Sequence, residues 1–121
     1  MKGEKRMNEI KDSGDRTNFE TGAVRDMHEC KGRMDLLPWN AIMDLSKHCE
    51  KGALKYGENN VRKGIPFHSF YDSAIRHLAK WFMGWKDEDH LVAAAWNIMW
   101  LLEERTTHNN LDDIHTKIET M

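Results

Sequence analysis

Apolar residues recur at helical spacing in three stretches of the chain. The strongest is residues 87–104, DEDHLVAAAWNIMWLLEE, where they stand three and four residues apart. Asp87 is expected to cap this helix, because the helix dipole favours negative charge in the first turn. Three consecutive alanines would let a neighbouring helix approach closely. The expected buried face consists of Leu91, Ala94, Ala95, Ile98, Leu101 and Leu102.

Two earlier stretches predict further helices. The first begins near residues 36–38, since proline is tolerated in a first turn, and runs to about Tyr56 before Gly57. The second runs from Ser69 to about Met83, and Ser69 and Asp72 have the spacing of a capping box. The short link after Gly84 predicts that the second and third helices are antiparallel neighbours.

These elements predict an all-α fold, an antiparallel bundle of three long helices. Residues 111–118 predict a short C-terminal helix, and we divide the chain into an N-terminal arm (1–18), a helical domain (19–106) and a C-terminal segment (107–121). The second helix carries two adjacent apolar stripes, and the chain contains five Trp. Two partner helices cannot cover so wide a surface, so we expect a homo-oligomer.

Composition removes several classes of partner. Eighteen Lys and Arg against twenty Asp and Glu give a net charge of −2, so no overall field favours nucleic acid or a membrane surface. No apolar run approaches the length of a membrane span. Cys30 and Cys49 form no disulfide framework and are expected to be free thiols. We therefore expect a soluble cytoplasmic protein.

Familiar motifs are absent from the sequence. It has no P-loop, no dinucleotide-binding glycine motif and no nucleophile elbow. A zinc site would have to use residues whose spacing fits no standard knuckle, namely His28, Cys30, His48 and Cys49. A helix-turn-helix DNA reader is disfavoured, because the junction of the second and third helices is acidic.

Oxygen-bearing side chains border the predicted helical faces. Glu50, Asp72 and Asp89, with His90 and Asn97 nearby, suggest a cage for Mg²⁺ or Mn²⁺, since hard cations prefer oxygen ligands. Basic side chains close by in sequence suit phosphate: Lys55, Arg62, Lys63, Arg76 and Lys80. Each residue has a plainer interpretation, because Glu50 also suits a solvated surface and Asp72 also suits a helix cap. Solvated surface is equally an explanation for the basic segment that contains Arg25, Lys31 and Arg33.

Six blocks carry a more specific resemblance: TGAVRD (21–26), KGRMDLLP (31–38), EKGALKYGENN (50–60), RKGIP (62–66), DSAIRHL (72–78) and DEDHLVAAAWN (87–97). In order and spacing, they resemble a phage family, the dATP/dGTP diphosphohydrolase N-terminal domain. That family is similar to the all-α nucleoside triphosphate pyrophosphohydrolases of the MazG type. Those enzymes bind magnesium with Glu and Asp on adjacent helices and release pyrophosphate from deoxynucleoside triphosphates.

The resemblance implies roles for individual residues. Metal binding falls to Glu50, Asp72 and Asp89, and catalysis to Glu50, Asp72, His77 and His90. The substrate would contact Arg25, Arg33, Lys55, Tyr56, Asn60, Arg62, Lys63, Arg76, Trp81 and Asn97.

The sequence departs from the wider superfamily at its paired carboxylates. In that superfamily, each of two helices usually carries two carboxylates three residues apart. Here Ala53 stands three residues after Glu50, and Ala94 stands three residues before Asn97, so both pairs lack a carboxylate. Two functions therefore remain open. One is metal-dependent hydrolysis of purine deoxynucleoside triphosphates to monophosphate and pyrophosphate; the other is a non-catalytic phage protein that sequesters a nucleotide signal. A structural helical protein without a ligand is a third alternative.

Overall fold

The computed structural model describes residues 14–27 and 29–115. The chain divides into two compact units, with the boundary between Leu37 and Pro38. Three long helices account for most of the described residues and confirm the predicted all-α bundle. None of the helices in these ranges combines the length and apolarity needed to cross a bilayer.

The first unit contains a small antiparallel hairpin. Strand β1 (Arg16–Asn18) pairs with β2 (Val24–Asp26), with Thr17 opposite Arg25. A 3₁₀ turn at Met34–Leu36 follows. Strand β1 lies in the segment predicted as a flexible arm, and β2 lies where only a loop or short turns were expected. Strands of three residues are too short to show alternation in the sequence. Of the predicted arm, residues 1–13 lie outside the described residues.

The second unit contains helices α1 (Trp39–Tyr56), α2 (Phe67–Phe82) and α3 (His90–Thr107). All three lie within a few residues of their predicted positions. Gly57, with φ of 97°, ends α1 as predicted, and its N–H donates to the Ala53 carbonyl at 2.9 Å.

Two predicted helix caps are wrong. Helix α2 begins immediately after Pro66, so Ser69 lies inside its first turn and caps nothing. Helix α3 is capped by Asp89, whose Oδ1 accepts a hydrogen bond from the Val92 N–H at 3.1 Å. In each case the true cap lies two or three residues from the predicted one, within the usual uncertainty of helix ends.

Helix α3 packs mainly against α2 and less extensively against α1. The backbone N–H of Ile65, just before α2, donates to Glu104 near the end of α3 at 2.6 Å. Near the other end, His77 of α2 contacts His90, the first residue of α3. Helices α2 and α3 are therefore antiparallel, as the short link predicted.

Of the face predicted to be buried on α3, only Ala94 is fully buried and Leu101 is partly buried. Leu91, Ile98 and Leu102 are 45%, 55% and 53% exposed, and Ala95 is also exposed. The face instead buries His90, Ala93, Ala94, Asn97 and Glu104 against the buried α2 residues Phe67, Phe70 and Ala74. The small alanines permit close contact, and hydrogen bonds offset the cost of burying polar groups.

A second apolar surface is left on the outside of these helices. Its residues recur at helical spacing on both elements: Tyr71, Ile75, Leu78 and Phe82 on α2, and Leu91, Ile98 and Leu102 on α3. We call this the outer apolar face. Exposed apolar surface of this extent is typical of an interaction surface.

The end of the described chain returns to the start of α2. A 3₁₀ turn at Asn109–Leu111 follows α3, so no α-helix begins at Leu111, and residues 116–118 of the predicted helix lie outside the described residues. Asp113 accepts from the backbone N–H of His68 at 3.0 Å. Gly64, with φ of 103°, packs so tightly here that a Cβ would lie 2.7 Å from Leu111 Cδ1.

Candidate functional site

A group of possible metal ligands lies where α2 and α3 meet. Ligand atoms of His77, Glu88 and His90 all lie within 4.8 Å of one another. Across residues 14–27 and 29–115, this is the one set of three or more His, Cys, Asp or Glu side chains that comes so close together. We call it the His–Glu group. The two histidine Nδ1 atoms are 2.9 Å apart.

Asp87 fixes the orientation of His90. The His90 ring is almost fully buried, and its Nε2 lies 2.7 Å from Asp87 Oδ1. This hydrogen bond holds the pKa of Asp87 below its usual range. An ionised carboxylate only accepts, so His90 Nε2 donates its proton to Asp87. A carboxylate behind a histidine in this way is the usual support of a metal ligand.

The state of His77 also favours metal binding. Burial lowers the pKa of His77, although the negative charge of Glu88 acts in the opposite direction. The neutral imidazole keeps a lone pair for a cation. The two Nδ1 atoms share a hydrogen bond, so the proton between them would have to be released for both nitrogens to hold one cation.

An aromatic cavity of about 310 Å³ lies between the C-terminal half of α1, the following loop and α3. Its wall includes Tyr56, Trp96 and Trp100, and the two indole rings are 6.3 Å apart. The Arg62 guanidinium lies 5.1 Å from the centre of the Trp100 ring. Both indole N–H groups are buried without a hydrogen-bond partner among the described residues. The cavity thus offers flat rings, a cation and unused donors.

His48 is close both to the wall of the aromatic cavity and to the start of α3. Its ring is 5.3 Å from that of Trp96. Burial lowers the pKa of His48, while the negative charges of Glu88 and Asp89 act to raise it. These charges reach His48 only because the start of α3 is near. Both regions therefore have a residue near His48.

Several residues predicted to bind substrate line the aromatic cavity, namely Tyr56, Asn60 and Arg62. Lys55 lies beside it, with its Nζ 5.1 Å from the centre of the Tyr56 ring. Lys63 is exposed in the 3₁₀ turn Val61–Lys63.

Other predicted substrate residues lie elsewhere. Trp81 is half exposed and does not line the cavity, and Arg76 forms an ion pair with Asp72 on the surface of α2. Asn97 is buried and its Nδ2 donates to the Ala93 carbonyl at 2.8 Å. In the first unit, Arg25 is part of β2 and Arg33 forms an ion pair with Asp35 at 2.6 Å.

The carboxylates predicted to bind metal do not join into one group. Glu50 is exposed on α1, Asp72 pairs with Arg76, and Asp89 caps α3. By contrast, the predicted catalytic residues His77 and His90 meet in the His–Glu group.

Sequence reasoning missed the partners of these histidines, as well as part of the cavity wall. Glu88 and Asp87 were visible only as members of an acidic run, because no local spacing shows that they approach a residue of α2. Trp96 and Trp100 were interpreted as core. Cys30 and Cys49 are free thiols, as predicted, while His28 lies outside the described residues.

Comparison with protein families matched residues 21–114 with "dATP/dGTP diphosphohydrolase, N-terminal". Neither the comparison with curated proteins nor that with solved structures found a match. The matched range covers most of the chain, including all three helices, the residues that line the aromatic cavity and the His–Glu group. The chain therefore belongs to the dATP/dGTP diphosphohydrolase N-terminal family, as its sequence motifs predicted.

Proposed function

We propose that the protein is a metal-dependent hydrolase that converts purine deoxynucleoside triphosphates into the monophosphate and pyrophosphate. The observation that carries this proposal is that His48 contacts Trp96 in the wall of the aromatic cavity and also feels the charge of Glu88, a member of the His–Glu group. Membership of the family supports the reaction class. We expect the reaction to take place in the cytoplasm, or in that of the host cell if a phage encodes the chain.

The aromatic cavity binds the nucleoside part of the substrate in this proposal. A purine ring stacks well on indole, and the Trp100 ring already carries the Arg62 guanidinium on one face. Arg62 also lines this cavity, and its guanidinium group can pair with phosphate oxygens. The triphosphate extends from here past His48 towards the start of α3.

His77, Glu88 and His90 hold the cation, and Asp87 orients His90. Two imidazole ligands favour Mn²⁺ over Mg²⁺, because Mg²⁺ strongly prefers oxygen. A bound divalent ion supplies charge stabilisation to phosphoryl oxygens and lowers the pKa of a bound water. Burial of His90 and the hydrogen bond from Asp87 are the chain's own contribution, because they fix the ligand before the ion arrives.

The test is incubation of the pure protein with dATP or dGTP and either Mn²⁺ or Mg²⁺. We expect monophosphate and pyrophosphate in amounts well above the amount of protein, faster with Mn²⁺, and none with EDTA. Release of single phosphates in place of pyrophosphate would contradict the proposed bond cleavage. Products should be separated by anion-exchange chromatography.

One observation favours the alternative function, sequestration of a nucleotide signal. The His–Glu group contains a single carboxylate, whereas the related enzymes hold their cation with several. Fewer carboxylates mean weaker binding of a hard cation. Stoichiometric capture of a nucleotide that is recovered intact, with no turnover in either metal, would support this alternative.

We also propose that a second copy of the chain covers the outer apolar face. Seven large apolar side chains are 41% to 83% exposed there, on two helices that pack against each other. Homo-oligomers bury such faces in self-complementary contacts. Light scattering after size exclusion should give at least twice the monomer mass, and Ile98→Asp should reduce it. A monomeric mass for the unaltered chain at micromolar concentration would contradict this proposal.

A further inference from the structure

Only one of the two carboxylate oxygens of Glu104, near the end of α3, has a hydrogen-bond partner among the described residues. Its side chain is 3% exposed. Oε1 accepts a hydrogen bond from the backbone N–H of Ile65 at 2.6 Å. Oε2 is buried and has no partner among the residues that the structure describes. A buried acceptor without a donor costs free energy, so a ligand that donates a hydrogen bond to this oxygen would recover that cost.

Glu104 lines a second cavity, of about 190 Å³, which we call the small cavity. It shares Val61, Arg62 and Trp100 with the aromatic cavity, so the two cavities adjoin. The Trp100 indole N–H is likewise buried and unpaired within the described chain. Two residues that line the small cavity therefore each carry a buried polar atom without a partner, one an acceptor and the other a donor.

These two groups select the chemistry of the ligand. An ionised carboxylate accepts only, so Oε2 requires an N–H or O–H group. An indole N–H donates only, so Trp100 requires a ring nitrogen or a carbonyl. An aminopurine presents an exocyclic amine next to ring nitrogens on one flat edge, and its faces stack on aromatic side chains.

We infer that Glu104 determines base specificity by accepting a hydrogen bond from the exocyclic amino group of the purine. This inference rests on the proposed function, because it takes the ligand to be a purine nucleotide. The amine is at C6 in adenine and at C2 in guanine, and hypoxanthine lacks it. A base without the amine leaves Oε2 unpaired in a buried site, which is the condition under which polar sites discriminate most strongly.

The experiment measures binding by calorimetry in EDTA, so that no metal-dependent turnover takes place. Two ligand pairs each differ by a single amino group: dATP against purine 2′-deoxyriboside triphosphate, and dGTP against dITP. We expect the amino member of each pair to bind at least about tenfold more tightly. Equal affinities within both pairs, or no binding of any of the four nucleotides, would overturn the inference without any mutation.

The variant Glu104→Gln separates recognition from a purely structural role. Its amide carbonyl still accepts from the Ile65 N–H, while its NH₂ now faces the small cavity as a donor. We expect the preference for the amino member to disappear or reverse, with the circular dichroism spectrum unchanged. The control is Glu103→Gln, because Glu103 lines the same cavity but is exposed. A retained preference in Glu104→Gln would overturn the inference.

The outcomes distinguish this inference from the proposed reaction. Discrimination in EDTA without hydrolysis in Mn²⁺ would contradict the hydrolase and leave base recognition by Glu104 in place. Hydrolysis without discrimination would leave the hydrolase in place and contradict the role of Glu104.

Discussion

The two ends of α3 use buried polar groups in opposite ways. At the N-terminal end, both ring nitrogens of His90 have partners, Asp87 and His77. At the C-terminal end, the Trp100 indole N–H and one oxygen of Glu104 have none within the described chain. Paired groups hold each other in a fixed geometry, as a metal site requires, whereas unpaired groups are available to a ligand from outside.

Substitutions at the two ends of α3 should therefore affect metal binding and nucleotide binding separately. Changes at the N-terminal end should reduce metal affinity and leave nucleotide affinity in EDTA almost unaltered. Changes at the C-terminal end should do the reverse. The order of effect should follow how directly each side chain touches the ligand.

The largest effect is expected from His90→Ala, which removes one proposed metal ligand. Loss of a supporting residue behind a ligand typically costs about 10- to 100-fold in metal affinity, so loss of the ligand itself should exceed 100-fold. Calorimetry with Mn²⁺ measures the affinity, and pyrophosphate release measures the activity. The control is His115→Ala, because the His115 ring is exposed and pairs with Asp112, outside the His–Glu group. Undiminished Mn²⁺ binding by His90→Ala would remove it from the site.

Asp87→Asn should reduce Mn²⁺ affinity by about 10- to 100-fold, because the amide no longer enforces the orientation and proton position of His90. The neighbouring change Asp89→Asn is the matched control. Asn caps helices about as well as Asp, so this variant keeps the start of α3 and should keep its metal affinity. Equal losses in the two variants would indicate a general effect of charge rather than support of His90.

Trp100→Leu tests the other end and should weaken dATP binding in EDTA by about tenfold, since stacking of a base on an aromatic ring contributes about 1–3 kcal/mol. Mn²⁺ affinity should stay the same. Trp81→Leu is the control, because Trp81 is the residue that the sequence suggested for stacking but it does not line the cavity. A larger loss for Trp81→Leu would contradict the location of the nucleoside.

The smallest effect is on the pH dependence of stability. Burial lowers the pKa of His48 below 6.5, so between that lowered pKa and 6.5 the unfolded chain binds more protons than the folded one. The free energy of unfolding of the metal-free protein should therefore fall as the pH drops below about 6.5. Denaturant titrations should show a flatter dependence in His48→Gln. Lys51→Gln, which removes a charge that also lowers this pKa, should flatten it partly.

The sequence predicted the helices well, because they depend on local spacing. The positions of α1, α2 and α3 follow from apolar periodicity and from Pro38, Gly57 and Gly84. The same periodicity misassigned the buried face of α3, since it cannot say which of two apolar sides meets α2. Ala93 and Ala94 permit the closest approach to α2. The side of α3 that carries them therefore packs inwards, together with the polar residues on that side.

The candidate site was predicted only in part for a related reason. His77 and His90 stand in blocks that resemble the family, and both lie in the His–Glu group. Their partner Glu88 is exposed and ordinary in sequence, and its role depends on the path of the chain between α2 and α3. Long-range proximity of this kind leaves no local pattern. The unpaired indole N–H of Trp100 could not be predicted either, because spacing does not show which polar atoms find partners.

The tight contact at Gly64 means that the end of the described chain supports the loop before α2. Leu111 and His108 fill the space where a side chain at residue 64 would stand, and this same short loop carries Arg62 and Ile65. A protein shortened after Thr107 would keep all three helices and every proposed metal ligand. It would nevertheless lose the backing of the loop, so we expect weaker selection among bases with little change in helical content.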